Sequence, residues 1–433
     1  MASWRRRDRV AGGGPRVVVA GAGFAGLATL RGLARIGART LLVDRNVYST
    51  FQPLLYQVAT GGLAPSDVAY PIRSLVRRYR ARYRHGELAG VDPGARRVRL
   101  TDGTELEYDY LILATGVSAA YYGVAGAAEH TVGLYTRRDA IALRNDFNDR
   151  LEHLAANGTA KDLTVTIVGG GATGVELAGT MAEVRNIALP ALFPDTDFSG
   201  VHIRLVEMGG ALLAPFRPSL QRYARRQLLE RGVEVMLGTA ISQVHPDHIV
   251  LASGEKLPSD LTVWAAGVAG PAADRGWGLP TGRGGRIVTG PDLRVDGQER
   301  IFAVGDIGLI SSSPLPQLAQ PALQTGRHAA AQIARLEEGQ PTEPFRYHDK
   351  GIMATIGRSS AVVQLASGIR FGGFPAWVAW LGLHLIYLLG TRNRVSTLLN
   401  LAYRYVSWGR GGGFVVGDDP SLPSGERPGQ ASG

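Results

Sequence analysis

Arg16-Val-Val-Val-Ala20 followed by Gly21-Ala22-Gly23-Phe24-Ala25-Gly26 is the stretch whose reading decides the fold of this 433-residue chain. A short β-branched run reads as a buried strand. The three glycines follow at once, and an alanine- and leucine-rich segment from Leu27 to Ile36 has helical period. Thr40-Leu-Leu-Val43 then reads as a second buried strand, ending at Asp44. The physical roles divide cleanly, with Gly21 permitting the tight turn, Gly23 letting a pyrophosphate approach the backbone, and Gly26 letting the helix pack on the sheet. The helix N-terminus faces the phosphates with its free N–H groups. Asp44 lies 23 residues after Gly21, near the ~20 that places a carboxylate at a ribose 2′-OH. A glycine turn alone could be any strand-to-helix turn; the acid and helix in register make it a dinucleotide site.

The unit occurs a second time, 148 residues later. Leu163 to Val168 is the strand, Gly169-Gly-Gly171-Ala172-Thr173-Gly174 the turn, and Val175 to Asn186 the helix. Val201 to Val206 is the next strand and Glu207 its acid, 38 residues after Gly169 because a polar, proline-containing segment intervenes. Both strands end in an acid, and no arginine follows Glu207 to welcome a 2′-phosphate, which favours NADH over NADPH. Two matched strand-to-turn segments follow the units, Tyr110 to Gly116 and Leu261 to Gly267. Ile301-Phe-Ala-Val-Gly-Asp306 is another apolar strand ending in an acid, able to bond a flavin's ribityl chain or to cap a helix.

Composition narrows the chemistry. The chain contains no cysteine, which excludes disulfide scaffolds, iron–sulfur clusters, thiolate nucleophiles and C-x-x-C redox pairs. Any redox chemistry must belong to a bound cofactor, and no metal site is expected. The 58 glycines are close to double the usual share of roughly 7%. Lysine and arginine outnumber aspartate and glutamate by 47 to 37, a net charge of +10.

The sequence strongly resembles the type II NADH:quinone oxidoreductases, single-subunit flavoproteins that do not pump protons, from about Val17 to Trp408. GAGFAG at 21–26, FQPLLYQVAT at 51–60, LATG at 113–116, VGGGATGVELAG at 168–179, VWAAGV at 263–268, FAVGD at 302–306 and MATIGR at 353–358 carry the resemblance. Ala319-Gln320-Pro-Ala322-Leu-Gln324 fits the family's AQxAxQ pattern, which separates quinone reduction from the ferredoxin and disulfide reductases. It implies an α/β fold of two Rossmann-like dinucleotide-binding domains, for FAD and NADH, plus a C-terminal amphipathic-helix membrane anchor. The expected division is a basic disordered tail at 1–15, an FAD-binding domain at 16–135 and 290–365, and an NADH-binding domain at 136–289. An anchoring region at 366–410 and a disordered tail at 411–433 complete it.

Carried over residue by residue, the resemblance gives Gly21, Ala22, Gly23, Phe24, Ala25 and Gly26 the FAD pyrophosphate and Asp44 its ribose. Arg45, Gln52 and Leu88 become further FAD contacts, and Thr115, Gly116 and Asp306 complete the flavin site. Gly169, Gly171, Ala172, Thr173 and Gly174 cradle the NADH pyrophosphate, Glu207 its ribose, and Gly267 closes the matching turn. Glu176, expected in the first turn of that helix, would orient the nicotinamide or move a proton; helix-dipole stabilisation is the other reading. Gln320 and Gln324, four apart, share a helix face and would border the flavin and the quinone carbonyls, unless the face is merely polar. NADH is then the hydride donor, FAD the relay, and a membrane quinone (ubiquinone or menaquinone) the acceptor, feeding a respiratory chain. A soluble NAD(P)H:ferredoxin-type reductase and a non-catalytic FAD/NADH redox sensor are the competing functions.

Residues 371–410 bear on the membrane. Ala376–Leu389 is continuous and apolar, but about 14 helical residues reach only ~21 Å against a ~30 Å hydrocarbon core. Leu398, Leu401, Ala402 and Tyr405 recur at helical spacing, and Trp377, Trp380, Tyr387, Tyr403 and Trp408 suit an interface. Two helices lying on the bilayer fit better than a span, with a hydrophobic dimer interface as rival; a homodimer is expected. Between Lys350 and Gly417 there are seven basic residues and no acid, so the charge reads as attraction to an anionic lipid surface, not to nucleic acid. The expected location is peripheral, on the cytoplasmic face of a bacterial inner membrane, with the mitochondrial inner membrane as alternative.

Overall fold

The computed structural model describes residues 13–157, 162–270 and 276–406, and the two strand–glycine–helix units organise them. The first unit opens into a five-stranded parallel sheet in the order Ile301–Ala303, Tyr110–Leu113, Arg16–Ala20, Arg39–Asp44, Arg82–His85. The second gives a like sheet in the order Val132–Gly133, Leu261–Trp264, Leu163–Val168, Val201–Glu207, Val233–Leu237. Tyr110–Leu113, Leu163–Val168 and Leu261–Trp264 are buried at every position. Parallel strands covered on both faces read as continuous apolar runs for this reason.

The duplication runs further than the glycine motifs. In the first half a three-stranded antiparallel meander, Leu88–Asp92, Arg97–Leu100 and Glu105–Glu107, precedes the return strand. In the second half Ile241–Val244, His248–Leu251 and Lys256–Pro258 occupy the equivalent place. Beyond the return strands, Ser118–Ala119 and Val268–Ala269 pair antiparallel and join the halves. Val132–Gly133 hydrogen-bonds into the second sheet, whereas Ile287–Thr289 pairs with Gly308–Ile310 beside the first.

The glycines work by close approach. Gly21 and Gly169 both have φ of +110°, in the region that favours glycine. A Cβ on Gly26 would sit 1.9 Å from the carbonyl oxygen of Gly21, and one on Gly174 the same 1.9 Å from that of Gly169. The helices Phe24–Arg35 and Ala172–Glu183 can start against their strands only because both positions lack a side chain.

A third sheet, Ile352–Thr355, Ala361–Gln364 and Arg370–Gly373, lies against the second-half helix and leads into the helices Phe374–Tyr387 and Thr391–Val406. Among the described residues no helix is long and apolar enough to cross a membrane. Buried Asp67 accepts hydrogen bonds from Ser396 Oγ and Asn400 Nδ2, both at 2.9 Å, while Asn393 Nδ2 donates to the Ala69 carbonyl at 2.9 Å. These bonds latch the last helix to the loop leaving the Gln52–Ala59 segment.

One sequence expectation needs correction here. Trp380 is not at an interface: it is buried against Tyr56, ring centroids 6.2 Å apart, because its helix is the wall of the central cleft. The apolar stripe of the last helix is divided by burial: Leu398 is exposed and Leu401 is buried in the core. The exposed apolar surface is instead formed by Phe374, Val378, Leu383, Ile386, Val395, Leu398 and Leu399 from both helices. Trp408 lies outside the described residues, as do nearly all of 1–15 and all of 411–433.

Candidate active site

A cleft of about 1550 Å³ runs between the two glycine turns and ends at the helix Phe374–Tyr387. From the first half it is lined by Gly21, Ala22, Gly23, Phe24, Ala25, Asp44, Arg45, Gln52, Leu88, Thr115, Gly116 and Asp306, and from the second by Gly171, Ala172, Thr173 and Glu176. Gln320 enters from the helix Ala319–Glu337. Gly26, Gly169, Gly174, Glu207, Gly267 and Gln324 do not line it. Gly26 and Gly174 are spent on helix packing, and Gly267 lies beneath the Tyr122 hydroxyl.

Both turns are built alike at atomic level. Asp44 accepts hydrogen bonds from the backbone N–H of Ala22 at 2.6 Å and of Asn46 at 2.7 Å. Glu207 accepts from the N–H of Gly170 and of Gly209, both at 2.5 Å. Each acid thus braces the middle of its glycine turn and the loop two residues beyond itself. A Cβ added at Gly23 or Gly171 meets nothing within 4 Å, so packing does not explain either glycine. Open space there is what a dinucleotide pyrophosphate requires.

Buried polar atoms without partners test the fit to a flavin. Gln52 Oε1 and Thr115 Oγ1 are sealed in the cleft wall and make no hydrogen bond, a costly state unless a bound group satisfies them. Asp306 lies in the turn Gly305–Ile307, and burial pushes its carboxyl up to about 6, opposed by the Arg286 guanidinium. Arg286 Nε donates to the Asp306 carbonyl at 2.9 Å and fixes the turn. The residues therefore fit a buried FAD.

Glu176 is the most perturbed carboxyl on the nucleotide side. The helix starts at Ala172, so Glu176 is its fifth residue, beyond the first turn expected from sequence, and the helix-dipole reading weakens. Burial pushes its carboxyl up to about 8, and among the described residues that carboxyl accepts a hydrogen bond from the Thr355 N–H at 3.2 Å. Near neutrality it is a protonated acid facing the cleft.

The two glutamines are separated. Gln320 lines the cleft, but Gln324 is closed onto the backbone of His348, Nε2 donating to its carbonyl at 2.9 Å and Oε1 accepting from its N–H at 3.0 Å. Tyr56, Trp277, Trp380 and His384 also line the cleft. Tyr56 lies inside the FQPLLYQVAT motif without a role assigned to it there, and Trp277, Trp380 and His384 belong to no motif; isolated aromatic side chains look like core until the fold brings them together.

Fold and site define a class, that of flavoprotein oxidoreductases with two nucleotide-binding halves. A family model described as pyridine nucleotide-disulphide oxidoreductase matches residues 15–326. The type II NADH:quinone oxidoreductases Ndh and NdhA of Mycobacterium tuberculosis are 34% identical over 417 residues and 36% over 421, each comparison covering 92% of this chain and 89% of the relative. Plasmodium falciparum NDH2 in complex with NADH has a similar fold, with a TM-score of 0.85 at 20% identity over 92% of this chain and 99% of the other. A sulfide:quinone oxidoreductase from Aquifex aeolicus follows at 0.73 and 19%, over 90% of this chain and 93% of the other. The chain belongs to the pyridine nucleotide-disulphide oxidoreductases and, within them, to the type II NADH:quinone oxidoreductases.

Two tests follow from this geometry. Gly23→Ala, whose Cβ enters open space, should fold but lose bound FAD, whereas Gly26→Ala should destabilise the fold by about 1–3 kcal/mol or more. Flavin absorbance and thermal melting of the two variants separate these outcomes. For Glu176, a folded-state value of about 8 against the usual 4.5 means stabilisation that is complete below about pH 4.5 and lost as pH rises through about 8. Glu176→Gln stays neutral, so its melting temperature should climb relative to the parent between about pH 5 and about pH 9. Parallel profiles would contradict the buried-acid assignment.

Proposed function

We propose that this chain is an FAD-dependent NADH:quinone oxidoreductase that transfers two electrons without pumping protons. One observation carries the reading: both glycine turns, the unpartnered Gln52 and Thr115, and Gln320 open onto a single cleft. The absence of cysteine removes any thiol relay, so electrons pass through the cofactor alone. Bound FAD would supply that relay, accepting hydride from NADH and yielding the electron pair to the quinone. The protein holds, orients and shields.

In this reading Gly21 to Ala25, Asp44, Thr115 and Asp306 hold the FAD, with Arg45, Gln52, Leu88 and Gly116 beside it. Gly171 to Thr173 and the Glu207-braced turn hold NADH, and protonated Glu176 orients the nicotinamide without placing a charge beside it. Gln320 offers an amide to a quinone oxygen, while Gln324 acts indirectly by clamping the 348 backbone. The division of labour is an FAD-binding half from the first sheet and 287–310, and an NADH-binding half from 132 to 264. The exposed apolar face of the two C-terminal helices, with the basic residues of 350–402, rests on an anionic membrane surface and brings the quinone end of the cleft to the lipid. The alternative occupant of that face is a second copy of the chain.

NADH oxidation with decylubiquinone or menadione, compared with ferredoxin, tests the reaction; flavin bleached by NADH but inert to every quinone would refute it. Gln320→Ala should slow flavin reoxidation by quinone roughly threefold to tenfold, the loss of one net hydrogen bond, well beyond any effect on bleaching by NADH. For the membrane, Ile386→Asp with Leu398→Asp and Leu399→Asp should abolish flotation with anionic vesicles. Flotation that survives, or a loss of dimer in its place, would assign the face otherwise.

A further inference from the structure

His384 interrupts the apolar run Ala376–Leu389, and nothing so far explains it. Its ring stacks on Trp380 with centroids 3.9 Å apart at 23°, and meets Phe51 edge-on at 6.1 Å. With Trp380, Leu383 and Tyr387 it lines the end of the cleft formed by the C-terminal helix. Nδ1 stands 2.7 Å from the Trp380 backbone carbonyl, and only a donor can face a carbonyl oxygen, so Nδ1 carries the hydrogen. Burial holds the imidazole down to about 4, which keeps it neutral at physiological pH. The other nitrogen, Nε2, is therefore a bare lone pair, and it makes no hydrogen bond among the described residues.

We propose that His384 Nε2 is an acceptor-only contact by which the cleft distinguishes quinol from quinone, holding the reduced product through its hydroxyl hydrogen. The proposal rests on the cleft being the quinone site. A quinone oxygen is a carbonyl and can only accept; set against Nε2 it presents two lone pairs to one another. A quinol oxygen carries a hydrogen and donates to Nε2 directly. Gln320 has no such preference, because its amide both donates and accepts. The cleft thus combines one group indifferent to the redox state of the ring with one that favours the reduced form. Differential affinity of this kind is what shifts an equilibrium: the bound pair is drawn toward quinol, and quinol dissociates more slowly than quinone.

The experiment is product inhibition under anaerobic conditions, with decylubiquinol competing against decylubiquinone in the parent and in His384→Phe. Phenylalanine keeps an aromatic ring against Trp380 and Phe51 but has no lone pair. Quinol inhibition should weaken roughly threefold to tenfold, as expected for one net hydrogen bond, and by several times more than any change in KM for decylubiquinone. His384→Gln, whose amide oxygen can accept, should restore part of the inhibition. His384→Leu, smaller and also without an acceptor, should repeat the loss and guards against a packing defect in the phenylalanine variant. Quinol inhibition as strong in both the Phe and Leu variants as in the parent, or weakened only in proportion to quinone KM, would overturn the proposal. A parent enzyme inert to decylubiquinone would instead overturn the quinone reading of the cleft, and this contact with it.

Discussion

In each half of the molecule a carboxylate at the end of the second strand accepts a hydrogen bond from the middle residue of the glycine turn, Asp44 from Ala22 and Glu207 from Gly170. The turn can take that position only because the glycines around it bring backbone against backbone, with no room for a Cβ at Gly26 or Gly174. From this brace follow the direction of each helix, the open space at Gly23 and Gly171, and the face on which a nucleotide can lie. Asp44 also lines the cleft and keeps free acceptor positions there, since a carboxylate has more of them than two N–H donors use.

The second determinant is the way later segments pack against the two halves. The helix Ala319–Glu337 crosses the first glycine-turn helix at close range: a Cβ on Gly326 would fall 2.2 Å from the Ala25 carbonyl, and one on Gly32 2.7 Å from Ala330. That contact carries Gln320 to the cleft while leaving Gln324 on the outer side with His348. From the opposite side the sheet of 352–373 supplies the Thr355 N–H to Glu176, and its closing helix supplies Trp380 and His384. One cleft is therefore bounded by segments more than 350 residues apart in the chain, from Gly21 to Tyr387. Exposed apolar side chains of that closing helix face outward while its inner side faces the cleft, a geometry suited to a substrate dissolved in lipid.

Electrostatics in the cleft run toward neutrality. Burial raises Glu176 and Asp306 and lowers His384, in each case because a charge loses hydration there. Groups kept uncharged orient a neutral ring by hydrogen bonds, whose donor or acceptor character, not a fixed charge, then sets which redox state they favour.

Strand, glycine turn, helix and acid were legible from sequence because their signals are local: β-branched runs, glycine spacing and a carboxylate at a set distance depend on neighbours along the chain. So were the exclusion of thiol chemistry and the existence of two C-terminal helices. The matched meanders were less legible, since short antiparallel strands carry little periodicity. What only tertiary structure decided were directions and partners. Gln320 and Gln324 share a helical spacing, yet one faces the cleft and one the backbone of His348. Trp380 is of an interfacial residue type and is buried, and Glu176 lies past the first turn of its helix and owes its protonation to burial. Sequence sets which groups are available; whether each loses water, and which atom it then faces, depends on segments packed from elsewhere in the chain.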